Sequence, residues 1–533
     1  IVFMKKKTHN RSEGGFTGQL GFVMASAGSA VGVGNLWRFP YLAAKDGGGL
    51  FILIYLILTF TFGFTLLISD IATGRKTETS SVHAYNKIHP KWGFLGILTF
   101  LVPVIIMTYY AVIGGWIVKY IVVFLTGQGG AAASDDYFTA FITSPVEASV
   151  YACIFMLITA VVVFNGVRDG IEKCSAILMP ALLVMIIAIA VFALTLKSTD
   201  AEGVTRTGLQ GLSVYLMPDL TGLTVSRFLQ VLLDAMSQIF FSLSVSMGIM
   251  ITYGSYINKD VDIVTSVHQI EGFDVGVALL AGMMIIPTIY VFEGIEGMKA
   301  GPSLMFVSLP KVFESMYGIG RFVGLAFFLM AAFAALTSCV SVLETITANC
   351  MQVFHTKRHP TTIVLTLIYT AASVIISLGY SLFYLELPLP NGSIGQLLDL
   401  MDYISNSVMM PFISLLAALL IGWVVGPGWI VEEVEYGGKP FSMKRCYSLM
   451  IRFAVPVIMF ILFLAVAVFV IEMFCIPLHR YKKLIVSALH GRTHTETLEY
   501  EKAEDDTSVV DGVLCRGLIF LGTPDKHGTR EQR

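Results

Sequence analysis

Residues 27–40 read "AGSAVGVGNLWRFP", and they interrupt the start of an otherwise apolar part of the chain. Three glycines, an asparagine, an arginine and a proline stand where a membrane-spanning helix would begin. Backbone groups left unpaired in hydrocarbon cost several kcal/mol each, so such a break persists only where protein or a bound group satisfies it. The stretch therefore predicts a functional site within the membrane rather than a plain spanning helix.

The composition is typical of a membrane protein. Over 533 residues the chain is 55% hydrophobic and only 14% charged, which lies outside the usage of soluble globular proteins. A net charge of −2 gives no indication of nucleic-acid binding, so the lipid bilayer is the expected environment. The seven cysteines are scattered without a C-x-x-C pair, which favours neither a disulfide framework nor a zinc site.

Eleven apolar stretches are long enough to cross a bilayer, which takes about 20 residues. Basic residues precede the first stretch and follow the second, fourth, eighth and tenth, whereas the loop at 127–148 is acidic. Because basic loops remain in the cytoplasm, this pattern predicts a cytoplasmic N-terminus and a multi-pass protein of the plasma membrane. The predicted spans are 18–43, 49–70, 94–125, 149–164, 174–196, 227–254, 274–292, 319–350, 361–382, 396–424 and 450–474.

A second interruption corresponds to the first. Residues 241–248, FSLSVSMG, break the sixth span with small and hydroxyl side chains, as residues 28–35, GSAVGVGN, break the first. Close helix packing explains glycines at four-residue spacing, but not the asparagine, arginine and proline that follow them. Paired breaks in two halves are typical of transporters, in which unwound carbonyls hold a cation and half-helix N-termini face anionic groups. The residues alone predict a two-repeat transporter with a cation at its centre.

This pattern predicts how the chain is organised. We expect a cytoplasmic segment at 1–15 and a transporter domain at 16–474, followed by a tail at 475–533 to which no function is assigned. The tail contradicts the orientation, because basic residues follow at once the end of an eleventh span that should face outside. Within the domain we expect repeats at about 16–197 and 227–425 and an eleventh helix at about 450–474.

Ionisable residues within the spans are few and usually functional. Lys119 lies late in its helix, where snorkelling to the interface explains it, and Asp234 and Glu344 stay open. Arg38 and two carboxylates lie near one membrane face, where they would satisfy each other. The full set is Arg38, Lys119, Asp234, Asp274, Glu344, Asp399 and Asp402.

Five motifs resemble the neurotransmitter:sodium symporter family, in the family's order and spacing, over roughly residues 14–474. They are GSAVGVGNLWRFPYLAAKDGGGLF (28–51), TYYAVIGGW (108–116), FFSLSVSMGIMITYGSY (240–256), AALTSCVS (334–341) and LLDLMDYIS (397–405). The resemblance implies an all-α polytopic membrane protein with an inverted five-plus-five helix repeat, discontinuous first and sixth helices and about 11 transmembrane helices. It is similar to the prokaryotic branch, with the bacterial leucine and tyrosine transporters.

The resemblance also implies two sodium sites built from hard oxygen donors, which suit a small alkali cation. One would use the carbonyls of Gly28, Val31 and Ala334 and the hydroxyls of Thr337 and Ser338. The other would use the Ala30 carbonyl, the Asn35 amide oxygen, the hydroxyl and carbonyl of Ser242, the residue at 274 and the substrate carboxylate.

Substrate contacts and an outer gate follow from the same resemblance. The Tyr110 hydroxyl would bind the substrate carboxylate, and Phe241 would act as a lid. The outer gate would pair Arg38 with Asp402, bridged in part through Gln238. The implied substrate contacts are Ala30, Gly34, Tyr110, Phe241, Ser244, Met247, Ser338 and Val342.

Two departures from the family pattern change the expectations. The cytoplasmic gate positions read Glu13 and Gln352, with Phe16 in place of a tryptophan, so that gate is absent or is remade by Arg11. Asp274 stands where family members carry a sodium-site asparagine, and Ala278 where chloride-dependent members carry a serine. An aspartate at this site would supply the anion, so no chloride requirement is expected.

The predicted function is sodium-coupled symport: two sodium ions per cycle would drive the import of a neutral, apolar or aromatic amino acid by alternating access. The protein is expected to be a monomer or a dimer. Met247 with the small Ser244 and Ser246 predicts room for a leucine, methionine, tyrosine or tryptophan side chain. An amino-acid sensor that binds without net transport stays an alternative. An ion channel would need a ring of like residues or a filter loop, and an enzyme would need a catalytic constellation; neither pattern occurs, so no enzyme is expected.

Overall fold

The computed structural model describes residues 15–199, 203–220, 223–294, 297, 302–389 and 394–464, most of them helical. The predictions for Arg11 and Glu13, for the end of the eleventh span and for the tail at 475–533 lie outside these residues. The long helices and half-helices are α1 (Gln19–Ala30), α2 (Val33–Lys45), α3 (Gly49–Thr77), α4 (Pro90–Leu125), α5 (Pro145–Phe164), α6 (Val167–Thr195), α7 (Val225–Leu243), α8 (Ile249–Ser255), α9 (Ile263–Glu293), α10 (Tyr317–Phe354), α11 (Arg358–Leu378), α12 (Leu397–Val425) and α13 (Lys444–Leu464).

Short elements connect these helices. Two antiparallel hairpins pair β1 (Lys197–Thr199) with β2 (Thr205–Thr207) and β3 (Leu387–Pro388) with β4 (Ile394–Gly395). The short helices are Ser81–Ile88, Gly129–Ala132, Tyr137–Ile142, Gly208–Leu216, Leu309–Ser315 and Gly428–Val434.

The spanning helices agree with an all-α polytopic membrane protein. In the described part of the chain, nine helices are long and apolar enough to cross a membrane, and the bent pair α1 and α2 makes a tenth span. The predicted sixth span is divided between α7 and α8, which flank residues 244–248. The predicted breaks in the first and sixth spans are therefore present in the structure.

The first break is a kink between α1 and α2. The two half-helices meet at an angle of 54° after two extended residues, Val31 and Gly32. The helical hydrogen-bond ladder stops there, because the Val31 amide still reaches Ala27 whereas the next bond runs from the Asn35 amide to Gly32. The last carbonyls of α1 are thus free to bind other groups.

The second break is a tight loop of left-handed residues. Ser244, Ser246 and Gly248 have φ angles of 53°, 62° and 77°, a backbone region that residues other than glycine rarely adopt. Asp70 of α3 accepts a hydrogen bond from the Ser246 amide at 2.9 Å, and the Ser246 hydroxyl lies 2.5 Å from that of Ser414 on α12. Neighbouring helices therefore hold the strained loop in place.

Helix α9 begins well before the predicted span at 274–292. Its first residue is Ile263, and the Asp262 side chain caps it by accepting the Thr265 amide at 3.2 Å. His268, Glu271 and other polar residues precede the apolar run. The hydropathy pattern therefore does not predict the first three turns of α9 as part of a membrane span. These polar residues lie on a helix that packs against α1, α2, α3 and α6.

Candidate functional site

A small cavity lies where the two breaks face each other. Its volume is about 40 Å³, room for only a few water molecules. Every residue predicted to contact substrate lines it except Gly34. The structure adds residues that were not among the predicted contacts, including Ile106 and Tyr109 of α4 and Asn406 of α12. The lining residues are Ser29, Ala30, Gly32, Ile106, Tyr109, Tyr110, Phe241, Ser244, Met247, Ile249, Ser338, Val342 and Asn406.

Glycines let two aromatic side chains approach the first break. A β-carbon on Gly34 would lie 2.1 Å from Cε1 of Phe241, closer than any side chain tolerates. A β-carbon on Gly32 would lie 3.3 Å from the Tyr110 hydroxyl. The glycines therefore bring the Phe241 ring over α2 and the Tyr110 hydroxyl against the unwound backbone.

One oxygen cluster forms between the first break and α10. The Ser338 hydroxyl lies 3.3 Å, 3.1 Å and 3.4 Å from the carbonyl oxygens of Gly28, Ser29 and Val31. On the same turn of α10, the Thr337 hydroxyl lies 3.2 Å from the Ala334 carbonyl oxygen. The structure thus brings together the five residues Gly28, Val31, Ala334, Thr337 and Ser338, which the family resemblance groups.

A second oxygen cluster surrounds Asp274, which is completely buried. The Ser242 hydroxyl lies 2.5 Å and 2.6 Å from the two carboxylate oxygens, and the Asn35 amide nitrogen donates to Oδ1 at 2.8 Å. Tyr55 donates its hydroxyl to Oδ2 at 3.0 Å, a contact that no motif indicated. Ala278 is also fully buried, one turn further along α9. Asp274 therefore lies beside Asn35 and Ser242, as its position in the motif pattern predicts.

The predicted outer gate is not paired in this structure. Arg38 donates to the Ser237 hydroxyl at 2.6 Å and lies 5.6 Å above the centre of the Phe241 ring. Asp402 instead accepts the Tyr109 hydroxyl at 2.9 Å and the Asn406 amide at 2.6 Å. Arg38 and Asp402 therefore make no direct contact with each other in this conformation, and their pairing in a closed gate stays a prediction.

Gln238 does not bridge the gate either. Both polar atoms of its side chain are buried and have no hydrogen-bond partner among the described residues. A buried amide without partners costs free energy, so it marks a place where a second arrangement of neighbouring groups would satisfy it.

Asn406 belongs to a π-helical turn, Tyr403–Met409, and such turns are frequent at functional sites.

The opposite ends of the same helices hold a different set of contacts. Gln352 accepts the Ser80 amide at 3.0 Å, and Phe16 packs edge-to-face on Tyr253 with ring centres 5.4 Å apart. A salt bridge that the sequence left open joins Arg358 to the fully buried Glu344, with contacts of 2.5 Å and 2.8 Å. The predicted loss of a gate carboxylate at Gln352 is thus accompanied by a buried ion pair two turns away.

Two facing helix breaks, two buried oxygen clusters and a cavity between the breaks define the molecule as a membrane transporter of the broken-helix type. The chain matches the model of the Sodium:neurotransmitter symporter family over residues 13–140 and 140–483, and it belongs to that family. It is therefore a sodium-dependent symporter with an inverted five-plus-five helix repeat.

Individual relatives support this assignment. The chain is 34% identical over 457 residues to an uncharacterized sodium-dependent transporter, YhdH, of Bacillus subtilis, covering 84% of this chain and 96% of that one. It is 25% identical over 492 residues to the human sodium- and chloride-dependent GABA transporter 2, covering 84% and 79%. The crystal structure of MhsT in complex with L-phenylalanine matches with a TM-score of 0.74 and 33% identity, covering 85% of this chain and 99% of MhsT.

Proposed function

We propose that this symporter imports a neutral amino acid with an apolar or aromatic side chain, by alternating access across the plasma membrane, and that its N-terminus is cytoplasmic. The observation that carries the substrate class is the mixed lining of the cavity. The Tyr110 hydroxyl and the unwound backbone at Gly32 are polar, whereas the side chains of Ile106, Met247 and Val342 are apolar. A zwitterion with an apolar side chain matches both kinds of lining, and the related MhsT was crystallised with L-phenylalanine.

The side chains around the cavity indicate how it would close around the substrate. Phe241 is the ring best placed to move, because it lies between Gly34 and the Arg38 side chain. It therefore acts as the lid of the proposed site.

The two oxygen clusters are the proposed sodium sites. In the first, the carbonyls of Gly28, Val31 and Ala334 and the hydroxyls of Thr337 and Ser338 would bind one ion. In the second, Asp274, Asn35, Ser242 and the Ala30 carbonyl would bind another together with the substrate carboxylate. Moving two charges through 100 mV supplies about 4.6 kcal/mol, enough to accumulate an amino acid more than about a thousandfold.

Asp274 also supports independence of chloride. Two sodium ions and a zwitterion leave a positive charge in a region of low dielectric, where an uncompensated charge is expensive. The buried carboxylate supplies a negative charge within the second cluster, so a bound anion is not needed there. Uptake should be the same in chloride and in gluconate.

A panel of twenty amino acids tests the substrate class. Purified protein is heated with each amino acid, in sodium and in potassium, and its thermal unfolding is recorded. A true ligand at about a hundred times its dissociation constant stabilises the folded protein by about 2.7 kcal/mol, so its melting temperature rises in sodium alone. Stabilisation only by charged or small amino acids would contradict the proposal.

A hydroxyl deletion tests the position of the site. Tyr110→Phe should weaken ligand binding by at least about tenfold, because the lost hydrogen bond is to a charged carboxylate. Tyr120→Phe on the same helix is the matched control, since its hydroxyl donates to the Phe306 carbonyl at 2.8 Å away from the cavity. Equal binding by the two variants would contradict the site. Counterflow of labelled substrate in proteoliposomes separates the symporter from a sensor that binds without transport.

A further inference from the structure

Asn406 of α12 has a side-chain amide that the proposed binding of sodium and of the substrate carboxylate does not use. The residue lines the cavity between the two breaks, and it is only 7% exposed. An amide buried so deeply costs free energy unless its donor end and its acceptor end both have partners. The partners of each end therefore indicate what this part of the cavity wall can recognise.

Two neighbours determine how the Asn406 amide is oriented. Nδ2 donates to Asp402 Oδ1 at 2.6 Å and to the Tyr109 hydroxyl at 3.2 Å. Rotating the amide by half a turn would place its oxygen against the Asp402 carboxylate, where the two oxygens would repel each other. Both hydrogens of Nδ2 are thus used within the protein, and Oδ1 is the polar atom of Asn406 that is left to bind a ligand.

The acceptor end of the amide has no such neighbour. No hydrogen bond from the described residues reaches Oδ1 of Asn406, whereas its Nδ2 makes two. The nearby Tyr109 hydroxyl donates its hydrogen to Asp402 at 2.9 Å, so it does not donate to Asn406. A ligand with a hydrogen-bond donor would satisfy Oδ1, whereas an apolar ligand would displace water from it and leave it without a partner.

The other polar side chains of the cavity are used differently. The Ser244 hydroxyl donates to the Ser29 carbonyl at 3.0 Å, and the Ser29 hydroxyl donates to that of Ser244 at 3.3 Å. Ser338 lies among the carbonyl oxygens of the first cluster, and Tyr110 is the proposed partner of the substrate carboxylate. A donor on the side chain of a substrate therefore has its best acceptor in Oδ1 of Asn406.

We propose that Asn406 selects substrates whose aromatic side chain carries a hydrogen-bond donor, so that the transporter prefers tryptophan and tyrosine to phenylalanine. The proposal rests on the proposed function, the import of an apolar or aromatic amino acid. Among large apolar side chains, those of tryptophan and tyrosine carry a donor, an indole N–H and a phenol O–H. This hydrogen binds Oδ1 of Asn406 while the ring packs on apolar residues of the lining, such as Ile106 and Met247.

Two pairs of ligands of similar shape test the proposal on the wild type alone. In 3-benzothienylalanine a sulfur atom replaces the indole N–H of tryptophan, so the analogue keeps the shape but cannot donate. Affinities are measured in sodium from the concentration dependence of thermal stabilisation. Tryptophan should bind about tenfold more tightly than its sulfur analogue, and tyrosine more tightly than phenylalanine, because each partner lacking a donor leaves Oδ1 unsatisfied. Equal affinities within either pair would overturn the proposal for that substrate.

Two variants test whether the preference comes from Asn406. Asn406→Leu removes the acceptor but keeps a side chain of similar size, so tryptophan and its sulfur analogue should bind with nearly equal affinity. Tyr109→Phe is the matched control, because it removes the adjacent hydroxyl and leaves the amide bound to Asp402; it should keep the preference of the wild type. A general disturbance of the cavity would weaken both ligands together and leave their ratio unchanged. A preference that persists in Asn406→Leu, or that is lost equally in Tyr109→Phe, would overturn the proposal.

The same measurements separate this proposal from the proposed function. If none of the four ligands stabilises the protein in sodium, the import of an apolar or aromatic amino acid is contradicted, and the role of Asn406 with it. If all four stabilise the protein with equal affinities, the proposed function stands and only the role of Asn406 is overturned.

Discussion

Ser338 shows at the scale of one residue how the first oxygen cluster works. Its hydroxyl lies within 3.4 Å of three carbonyl oxygens from the first break. A single hydroxyl cannot donate to all of them at once, so the group behaves as one more oxygen in a cluster rich in acceptors. An alkali cation satisfies such a cluster better than one shared proton does.

Removing the hydroxyls should therefore weaken sodium binding. Ser338→Ala combined with Thr337→Val should lower sodium affinity by at least about tenfold, equivalent to about 1.4 kcal/mol. The measurement is a sodium titration of ligand-induced thermal stabilisation. Thr345→Val is the control, because that hydroxyl donates only to the Ser341 carbonyl of its own helix. An unchanged sodium titration in the double variant would contradict the assignment.

Asp274 carries the prediction about anions. Asp274→Asn should depress sodium-coupled uptake, because the amide loses the charge and turns a donor toward Ser242, Asn35 or Tyr55. Adding Ala278→Ser to this variant supplies a hydroxyl that an anion could bind, and uptake by the double variant should then require chloride. Uptake is compared in chloride and in gluconate, with the exposed Asp169→Asn as the control. Loss of wild-type uptake in gluconate would show that Asp274 does not replace chloride.

Asp46, just beyond the end of α2, predicts how stability depends on pH. Burial, followed by the nearby negative charge of Asp234, raises the pKa of Asp46 from 3.8 to about 7. The folded protein then holds a proton that the unfolded chain releases, so this residue makes stability fall as pH rises from about 4 to about 7. Melting temperatures measured across that range should vary less in Asp46→Asn. An unaltered pH profile would contradict the prediction, and the exposed Asp169→Asn serves as the control.

The residues of the site were predictable where backbone breaks and side-chain oxygens recur in motifs. Gly28, Asn35 and Ser338 belong to this group. Tyr55 was not predictable, because a tyrosine in an apolar run reads as packing until the fold brings its hydroxyl to Asp274. The burial of Glu271 was missed for a related reason: it precedes the predicted span, and nothing in the sequence shows that the polar early turns of α9 are buried.

At the scale of helices and loops, the sequence indicates the two breaks but not their shapes. Glycines and an early proline predict an interruption in the first span. The left-handed φ angles of Ser244 and Ser246 do not follow from serine propensities. They depend on partners from other helices, Asp70 and Ser414, which are distant in the sequence. Tertiary contacts therefore decide the geometry of the second break.

The ion pair between α10 and α11 leads to a prediction about stability. Arg358→Met should destabilise the protein by roughly 3–5 kcal/mol, because Glu344 would keep a buried charge whose remaining partner among the described residues is the Tyr256 hydroxyl at 2.7 Å. Thermal or denaturant unfolding in detergent measures the loss. Combining Arg358→Met with Glu344→Gln should recover much of it, since no unpaired charge is then left.

An exposed ion pair provides the comparison. Lys173 and Asp169 lie 2.6 Å apart with both side chains about two-thirds exposed, so Lys173→Met should change stability far less than Arg358→Met does. Equal losses in Arg358→Met and Lys173→Met would show that burial of Glu344 does not set the strength of its pair.

At the scale of the whole molecule, residues at the first break contribute to both oxygen clusters and to the cavity. The half-helices α1 and α2 meet at 54°. The family assignment establishes the repeat architecture that paired breaks predicted. The pairing of the outer-gate residues, by contrast, depends on the conformation of the protein. A motif indicates which residues can face each other, but not the conformation in which they are in contact.

The last prediction concerns that gate. Arg38 binds Ser237 and Asp402 binds Tyr109 and Asn406 in the structure, so an Arg38–Asp402 pair would form only when the outer side closes further. Arg38→Ala should reduce uptake by more than about tenfold while leaving membrane insertion and sodium-dependent stabilisation intact, because closure would then bury Asp402 without its partner. Exchanging the charges, with Arg38→Asp and Asp402→Arg together, should restore part of the uptake lost in either single variant. Ser237→Ala is the control, since it removes the present partner of Arg38 but neither gate charge. If a double-mutant cycle on uptake gives no coupling between Arg38 and Asp402, the two residues do not meet during transport.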